Sequence, residues 1–232
     1  MNNYVGKLLK DNPYPGRGIV AGVSPEGKSV FAYFIMGRSS NSRNRVFVKS
    51  ADGITIYPFD ASKVEDPSLI IYSPVRRAGD RIVVTNGDQT DTVCGFLEKG
   101  KSFEEALKTR TFEPDRPNFT PRISLMIEPD GSYKMSILKC ADGVGKASAR
   151  FTFDYEPVAG NGRFIHTYIG DGNPIPSFYG EPEEVDIPSD IDEFTADVWN
   201  NLNADNKISL YTVYFDRATG TEEHRLINKY AK

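Results

Sequence analysis

The pattern of apolar and polar residues along the chain predicts a protein built mainly of β-strands. Residues 29–36 (SVFAYFIM) are almost continuously apolar, which is typical of a strand covered on both faces. Residues 81–85 (RIVVT) are rich in β-branched side chains, and the turn signal Asn86-Gly87-Asp88 ends this strand. The Asp52-Gly53 step indicates a tight hairpin. Further strands are predicted at 4–10, 18–23, 45–49, 54–57, 69–72, 123–127, 133–139, 148–154, 163–168, 207–216 and 222–227.

Three segments have the pattern of helices. Residues 89–99 follow the polar turn, and Ser102 with Glu105 forms a capping-box pattern before a short apolar run. The clearest helix is 189–203, in which we expect Ser189 as the N-cap and apolar residues on one face. So many strands require two sheets. The pattern therefore predicts an α+β fold in which residues 1–232 form one domain.

Composition and charge restrict the classes of partner. Hydrophobic residues make up 39% of the 232 residues and aromatic residues 12%, which predicts a globular chain with a large core. A formal net charge of −4 disfavours nucleic acid and acidic membranes as partners, so any phosphate must be held by a local group of arginines. Cys94 and Cys140 lack CxxC spacing and are expected to be free thiols of a cytoplasmic protein. No apolar run approaches the roughly 20 residues that cross a bilayer.

Polar residues concentrate at two strand ends. Residues 72–92 run from a strand into a polar turn and a helix start, a place that favours small anionic ligands. Residues 37–45 (GRSSNSRNR) carry three arginines after a buried strand, and they fit either a solvated basic loop or phosphate and ribose contacts. Tyr72 fits either a core position or a ligand contact. We therefore expect a site where these two segments meet.

The sequence lacks the motifs of several common kinds of active site. His166 and His224 are far apart in the sequence and have no cysteine or carboxylate at ligand spacing, so no metal site is predicted. The chain contains neither GxSxG nor a Walker A or GxGxxG motif. The remaining arrangement of Arg, Tyr, Asn, Thr and Glu residues suits a small phosphate-bearing substrate and proton transfer without a cofactor.

Six blocks within the first 125 residues resemble the archaeal-type IMP cyclohydrolase family. The most specific are the blocks TNGDQTDT, which begins at Thr85, and TPRI, which begins at Thr120. The others are Tyr4-Val5-Gly6-Lys7-Leu8-Leu9, Asn44-Arg45, Tyr72 with Arg76, and Gly79-Asp80. All six occur in the order that the family shows.

The resemblance implies a four-layer α-β-β-α sandwich like that of N-terminal nucleophile hydrolases, without their self-processing. It implies a cyclohydrolase, a hydrolase acting on cyclic amidine C–N bonds, that closes 5-formamidoimidazole-4-carboxamide ribonucleotide (FAICAR) to IMP with loss of water in purine biosynthesis. The partner would be this purine ribonucleotide, and no cofactor would be needed. Both a monomer and a homo-oligomer are compatible with the resemblance. The alternatives are a non-catalytic purine-nucleotide-binding or regulatory module, or an amide hydrolase of the same fold.

The same resemblance implies the site residues. Arg45, Tyr72 and Glu113 fall where the family has its catalytic Arg, Tyr and Glu. We expect Tyr72 to donate to the formyl oxygen and Glu113 to relay a proton. The residues expected to bind the substrate are Asn44, Asn86, Gly87, Thr90, Asp91, Thr120 and Arg122.

Overall fold

A computed structural model of the chain describes residues 3–64 and 71–230. The described residues form α-helices and β-strands, together with a short 3-10 helix at Ala61–Lys63. The helices are α1 (Val5–Asp11), α2 (Ser40–Arg43), α3 (Gln89–Leu97), α4 (Phe103–Lys108) and α5 (Ile191–Asn201). The strands are β1 (Arg17–Val23), β2 (Ser29–Met36), β3 (Val46–Ser50), β4 (Gly53–Tyr57), β5 (Val75–Ala78), β6 (Arg81–Thr85), β7 (Arg122–Ile127), β8 (Tyr133–Cys140), β9 (Ser148–Tyr155), β10 (Asn161–His166), β11 (Glu183–Asp186), β12 (Lys207–Phe215) and β13 (Glu222–Asn228).

The strands form two antiparallel sheets, which confirms the predicted α+β class. The first sheet has the order β11-β10-β1-β2-β12-β13, and the second has the order β3-β4-β5-β6-β7-β8-β9. The almost continuously apolar strand β2 lies near the middle of the first sheet between β1 and β12. Its residues are buried throughout, as the sequence pattern predicts for a strand covered on both faces.

Three apolar clusters hold these elements together. One cluster lies between the sheets and joins inward-facing residues of both, such as Phe31 of the first sheet and Leu125 of the second. A second packs α1 and α5 against the first sheet, where Phe194 is buried. The third packs α3 and α4 against the second sheet around Phe103. Each such fully buried side chain contributes about 1.5–3 kcal/mol, so both sheets are fixed on both faces.

The predicted strand at 4–10 is wrong, because these residues form helix α1. Val5, Leu8 and Leu9 have helical spacing, and α1 buries Val5 and Leu9 against the first sheet and α5. Gly6 permits a close approach to α5: its backbone N–H donates to Asp197 Oδ2 at 2.8 Å, and an added Cβ would lie 2.2 Å from Oδ1. This tertiary packing decides the conformation of a segment whose short sequence fits either structure.

Two further predictions concern helix caps and one concerns a strand. Helix α4 has the predicted capping box, with both reciprocal hydrogen bonds between Ser102 and Glu105. Helix α5 is capped by Asp190 and not by Ser189, because Asp190 Oδ1 accepts from the Glu193 N–H at 2.8 Å. The predicted strand 69–72 lies in part outside the described residues, and Tyr72, which is described, is not in a strand.

One end of the sandwich gathers the strand ends that carry polar residues. In the first sheet, the start of β1 lies beside the end of β2. In the second sheet, the end of β6 lies beside the start of β7, where Thr85 pairs with Ser124. A hydrogen bond of 2.5 Å between the hydroxyls of Thr120 and Tyr168 joins segments of the two sheets at this end. The candidate site lies there.

Candidate active site

Five side chains from distant parts of the chain come together between the sheets, and we call them the Arg-Tyr-Glu cluster. Arg17 begins β1, Tyr33 lies within β2, and Arg45 directly precedes β3. Tyr72 precedes β5, and Glu113 lies between α4 and β7. Each of the two guanidinium groups interacts electrostatically with Glu113, Tyr72 and Tyr33. The structure therefore brings together the three residues predicted to be catalytic and adds two that were not.

Burial makes Glu113 an unusual carboxyl group. Burial raises its pKa, and the nearby Asp115 raises it further, although Arg122, Arg17 and Arg45 act in the opposite direction. The segment that carries it is closed by a backbone hydrogen bond of 2.9 Å from the Glu113 N–H to Thr120. A raised pKa moves the titration of a carboxyl group toward neutral pH, the direction that general acid–base catalysis favours.

The two arginines place concentrated positive charge beside this carboxyl group. Burial and the neighbouring Arg17 charge lower the pKa of the Arg45 guanidinium. Burial also disfavours the charged form of Arg17, but the surrounding tyrosines and Glu113 outweigh it and raise the pKa. Arg17 Nη1 donates to the carbonyl oxygen of Met36 at 2.6 Å, which fixes its position at the strand end. Two guanidinium groups beside one carboxyl group suit a ligand with an oxygen that gains negative charge.

Two buried polar atoms of the cluster lack a hydrogen-bond partner within the described part of the chain. They are the hydroxyl of Tyr33 and Nε of Arg45. Tyr33 is fully buried in β2, and burial raises its pKa well above the usual range. An unsatisfied buried polar group costs about 1–3 kcal/mol, so such groups cluster at sites that serve a function. The Tyr33 hydroxyl also interacts with the Tyr72 side chain, so it is the Nε of Arg45 that points to a polar ligand at this place.

Tyr72 is held by the turn that follows β6. Its hydroxyl donates to the Asn86 carbonyl oxygen at 2.9 Å. The Asn86 side chain is buried and fully engaged, because Nδ2 donates to Pro121 at 2.8 Å and Oδ1 accepts from the Ile123 N–H at 2.9 Å and from Gln89 at 3.0 Å. Asn86, predicted to bind the substrate, thus joins the turn to the start of β7 and fixes the position of Tyr72.

The other residues of the turn also make internal contacts. Thr90 is buried, and its hydroxyl bonds the Gly87 carbonyl oxygen at 3.0 Å and the Thr85 hydroxyl at 2.7 Å. A Cβ at Gly87 would lie 2.3 Å from Nη1 of Arg122, so only glycine leaves that guanidinium in place. Asp91 is exposed and pairs with Arg76 at 2.7 Å. The side chains of Thr90 and Asp91 are therefore engaged with the protein itself.

Arg122 differs from the predicted substrate-binding residues of the turn because its side chain also faces open space, in addition to its internal contacts. Its Nη1 donates to Gln89 Oε1 at 2.6 Å and pairs with Asp88 at 2.9 Å, and only 13% of its side chain is exposed. It is the strongest charge acting to lower the pKa of Glu113. It also lines a cavity of about 600 Å³ beside the cluster. Arg122 therefore connects the cluster to open space.

Asn44 and Thr120 occupy positions next to residues of the Arg-Tyr-Glu cluster. The Asn44 amide donates to the Asp60 carbonyl oxygen at 2.8 Å and accepts from the Asp60 N–H at 2.7 Å, which anchors the residue before Arg45. Thr120 accepts the Glu113 N–H through its carbonyl oxygen, and its hydroxyl contacts Tyr168. Both residues therefore position the backbone beside a residue of the cluster.

The basic loop 37–45 divides between the two interpretations of its sequence. Arg38 pairs with Asp171, and Arg43 donates to Asn206 at 3.0 Å. Arg45 alone among the three arginines of this loop enters the cluster. The loop thus combines surface contacts with one side chain that enters the cluster.

Sequence reasoning missed Arg17 and Tyr33. A charged residue at the start of the otherwise apolar strand β1 is a signal that could have identified Arg17. Tyr33 is hidden within the apolar run of β2, where a tyrosine looks like any other core residue. Its position beside Tyr72 and the two arginines is visible only in three dimensions.

Neither histidine and neither cysteine belongs to the Arg-Tyr-Glu cluster. His166 is buried, with Nδ1 2.8 Å from the Tyr168 carbonyl oxygen and Nε2 3.0 Å from Glu183 Oε2. Cys94 and Cys140 are free thiols, and burial raises the pKa of Cys94 to about 11. Across residues 3–64 and 71–230, no three His, Cys, Asp or Glu side chains are grouped to hold a metal ion. In the same ranges, no helix is long and apolar enough to span a membrane.

Comparison with known proteins agrees with the sequence resemblance and extends it. Residues 14–220 match the family described as IMP cyclohydrolase-like protein, well beyond the first 125 residues. The chain is 32% identical over 146 residues to an IMP cyclohydrolase of Methanopyrus kandleri. The aligned region covers 57% of this chain and 72% of that protein.

Two further relatives are also IMP cyclohydrolases. That of Halobacterium salinarum is 35% identical over 136 residues, or 56% of this chain and 65% of the relative. The IMP cyclohydrolase of Methanococcus maripaludis is 32% identical over 124 residues, which are 52% of this chain and 61% of the relative. The matched regions thus span less than two thirds of these two proteins. Because the family match covers most of the chain, the protein belongs to the IMP cyclohydrolase-like family.

Proposed function

We propose that the chain closes FAICAR to IMP with loss of water. The observation that carries this proposal is the Arg-Tyr-Glu cluster, in which a carboxyl group with a raised pKa lies among two arginines and two tyrosines. Membership of the IMP cyclohydrolase-like family and the names of the relatives support the same reaction.

The reaction is intramolecular, so the catalyst must orient groups and move protons. The carboxamide nitrogen attacks the formyl carbon and forms a C–N bond, and the formyl oxygen gains negative charge in the tetrahedral intermediate. The C–O bond then breaks, a C=N bond forms, and the oxygen leaves as water with one hydrogen from each nitrogen. Orientation, acid–base catalysis and oxyanion stabilisation therefore supply the rate acceleration.

The geometry supports roles for four of the five side chains of the cluster. Tyr72 would donate to the formyl oxygen in place of its bond to the Asn86 carbonyl oxygen, which measures 2.9 Å without a substrate. Arg45 and Arg17 would stabilise the oxyanion, and the free Nε of Arg45 is available for this contact. The carboxylate of Glu113 would accept the proton from the attacking nitrogen and return it to the departing hydroxyl.

The predicted substrate-binding residues divide into two groups in this proposal. Arg122 would contact the substrate directly, because its guanidinium faces both the cluster and the cavity. The others would act by shaping the turn and the segments around it, as their internal hydrogen bonds support. These positioning residues are Asn44, Asn86, Gly87, Thr90, Asp91 and Thr120.

We also propose that the chain forms one domain with the four-layer α-β-β-α scaffold of N-terminal nucleophile hydrolases, without self-processing. The inner core, which joins residues from Ile19 to Val213, supports a single unit. Helices on the outer face of each sheet support the layered arrangement. In this proposal the site lies at the end of the sandwich, where strand ends of both sheets meet.

Identification of the products of FAICAR tests the function. The proposal predicts that the purified chain converts FAICAR to IMP with no release of formate. An amide hydrolase of the same fold would instead release formate and leave the 5-amino ribonucleotide. A non-catalytic nucleotide-binding module would bind IMP, and FAICAR would cyclise no faster than it does without the protein. Either of the last two results would contradict the proposal.

A further inference from the structure

Strand β9 is an edge of the second sheet and the longest of the four edge strands of the two sheets. It has eight residues (SARFTFDY), none of them glycine or proline, and within residues 3–64 and 71–230 it pairs only with β8. An edge strand presents a row of N–H and C=O groups to any extended chain that approaches it. A long and uninterrupted edge is therefore a surface that another strand can join.

The other three edge strands are short, covered or charged. Strand β11 has four residues, and Asn3 Nδ2 donates to the carbonyl oxygen of its Glu184 at 2.8 Å. In β3, the Phe47 N–H donates to Asn228 Oδ1 at 2.8 Å, and the Phe47 carbonyl oxygen accepts from Asn228 Nδ2 at 2.9 Å. Strand β13 has two glutamates, a histidine and an arginine as its first four residues. Such features prevent an edge from pairing with other chains, and β9 has few of them.

The alternation of the backbone along β9 determines which groups face the open side. The Phe151 carbonyl oxygen points toward β8, because it accepts the Ser136 hydroxyl at 2.8 Å. In an antiparallel pair, successive residues direct their N–H and C=O groups to opposite sides of the strand. The backbone groups of Arg150, Thr152 and Asp154 therefore point away from β8, and all three residues are exposed.

The side chains of β9 divide between the two faces of the sheet. Asp154 lies on the face that α4 covers, since Lys134 of β8 pairs with Asp154 at 3.3 Å and with Glu104 of α4 at 2.7 Å. Phe151 and Phe153 lie on the opposite face. Phe153 packs against the core between the sheets, whereas Phe151 remains 46% exposed. The open side of β9 thus combines available backbone groups with an exposed aromatic ring.

The sequence of β9 is complementary to itself when two copies run antiparallel about Thr152. Each Arg150 then lies opposite the Asp154 position of the other copy, and each Phe151 lies opposite the Phe153 position. Opposite charges and aromatic rings at directly facing positions stabilise a sheet. A two-fold axis at Arg150 or at Asp154 would instead oppose like charges. A shift by one residue would oppose side chains that belong to different faces.

We propose that β9 pairs with β9 of a second copy of this chain, antiparallel and centred on Thr152, so that the second sheet continues across a homodimer. A two-fold dimer uses the same patch on both copies, and the complementary Arg150 and Asp154 positions meet this requirement. The charge pattern of β9 thus favours a second copy over the strand of another protein. The proposal concerns assembly and does not depend on the proposed reaction.

Sedimentation velocity of the purified full chain and an exchange of charges across the axis test this pairing. The parent should be a dimer at micromolar concentration. Arg150→Asp and Asp154→Arg each oppose like charges at two places, so each should raise the dimer Kd by at least about tenfold. The double variant Arg150→Asp/Asp154→Arg restores opposite charges and should return the Kd to within about threefold of the parent. Lys7→Asp, at an exposed position of α1 on the first sheet, is the matched control and should leave the Kd unchanged.

A cross-link at the axis tests the same pairing without changing its charges. Thr152→Cys would place two thiols on facing residues whose Cα atoms lie about 5.5 Å apart, within the range of a disulfide. Mild oxidation should join the two chains, whereas the parent and Thr219→Cys, at an exposed position between β12 and β13, should stay uncross-linked.

Four results would overturn the proposal. They are a monomeric parent, a dimer that both single charge reversals leave intact, a folded double variant that stays monomeric, and a Thr152→Cys protein that oxidation does not cross-link. Far-ultraviolet circular dichroism of each variant establishes that it is folded. The cross-link keeps the proposal testable even where a charge reversal prevents folding.

Discussion

Glu113→Gln should abolish most of the turnover while preserving the structure. The change keeps the size of a partly buried side chain and removes its titration. Because Glu113 supplies the carboxyl group of the cluster and its burial raises its pKa, it is the group of the cluster best suited to receive a proton. We therefore expect the loss in kcat and not in the affinity for IMP.

The expected magnitude follows from the role. A positioned general acid–base group contributes about 10²–10⁴-fold, which corresponds to roughly 3–5 kcal/mol of transition-state stabilisation. Glu128→Gln is the matched control, since Glu128 is also partly buried and pairs with Arg81 at 2.7 Å, but lies beyond the other end of β7. This control should retain kcat within about twofold, because it lies away from the reacting groups.

The pH dependence gives an independent readout with a defined sign. The pKa of Glu113 is raised above the ordinary value of 4.5, so kcat should rise with pH through that higher value as the carboxylate forms. The raised pKa also means that the folded state binds this proton more tightly than the unfolded state. The associated stability is present below the unfolded pKa and is lost as pH rises through the folded pKa.

Rate profiles and denaturation at several pH values therefore test one residue in two ways. The free energy of unfolding of Glu113→Gln, relative to the parent, should increase as pH rises through the raised pKa. The acid limb of kcat should disappear in the same variant. Full kcat in a folded Glu113→Gln protein, or a parent profile whose acid limb lies at or below the ordinary glutamate pKa, would refute the reasoning.

Three further predictions use other parts of the site. Arg17→Met removes a charge that lowers the pKa of Glu113, so the acid limb of kcat should move to higher pH and kcat should fall at least about tenfold; unchanged profiles would contradict this. Gly87→Ala should displace the Arg122 guanidinium, because the added Cβ would lie 2.3 Å from its Nη1. Since Arg122 lowers the pKa of Glu113, the acid limb of kcat should move to higher pH, as pH-dependent kinetics would show, while thermal unfolding should show little loss of stability. Cys94→Ser and Cys140→Ser should keep kcat, although Cys94→Ser should lower Tm because that thiol is buried; loss of kcat in either folded variant would assign a thiol to the chemistry.

Local sequence signals predicted much of the fold. The apolar run of β2 and the Asp52-Gly53 turn between β3 and β4 both correspond to observed structure. The capping box of α4 has both of its predicted hydrogen bonds. These features depend on interactions within a few residues, so the sequence pattern is sufficient to predict them.

Features that depend on distant packing were predicted less well. Residues 4–10 form a helix because α5 and the first sheet cover one face of it. The N-cap of α5 is Asp190, one residue after the predicted Ser189. The Ser189 hydroxyl donates to Glu26, and Asp190 accepts the Glu193 N–H at the start of the helix. In both cases a residue remote in the sequence decides between two local structures.

The site shows the same division. The sequence identified the turn after β6, but the buried side chains of Asn86 and Thr90 are engaged within the protein. Arg17 and Tyr33 were missed because their significance depends on Arg45 and Glu113, which lie on distant connecting segments of the chain. Convergence of distant residues cannot be deduced from spacing in a single sequence.

The most direct test of the account is a single-turnover measurement on the Tyr72→Phe/Glu113→Gln double variant. With enzyme in excess over FAICAR, the absorbance change on IMP formation reports ring closure, while calorimetry reports the affinity for IMP. We expect a parent rate far above the uncatalysed rate, a double variant slowed by at least about 10²-fold, and IMP affinity within a few-fold of the parent. A double variant that closes the ring at the parent rate would contradict the assignment of catalysis to the Arg-Tyr-Glu cluster.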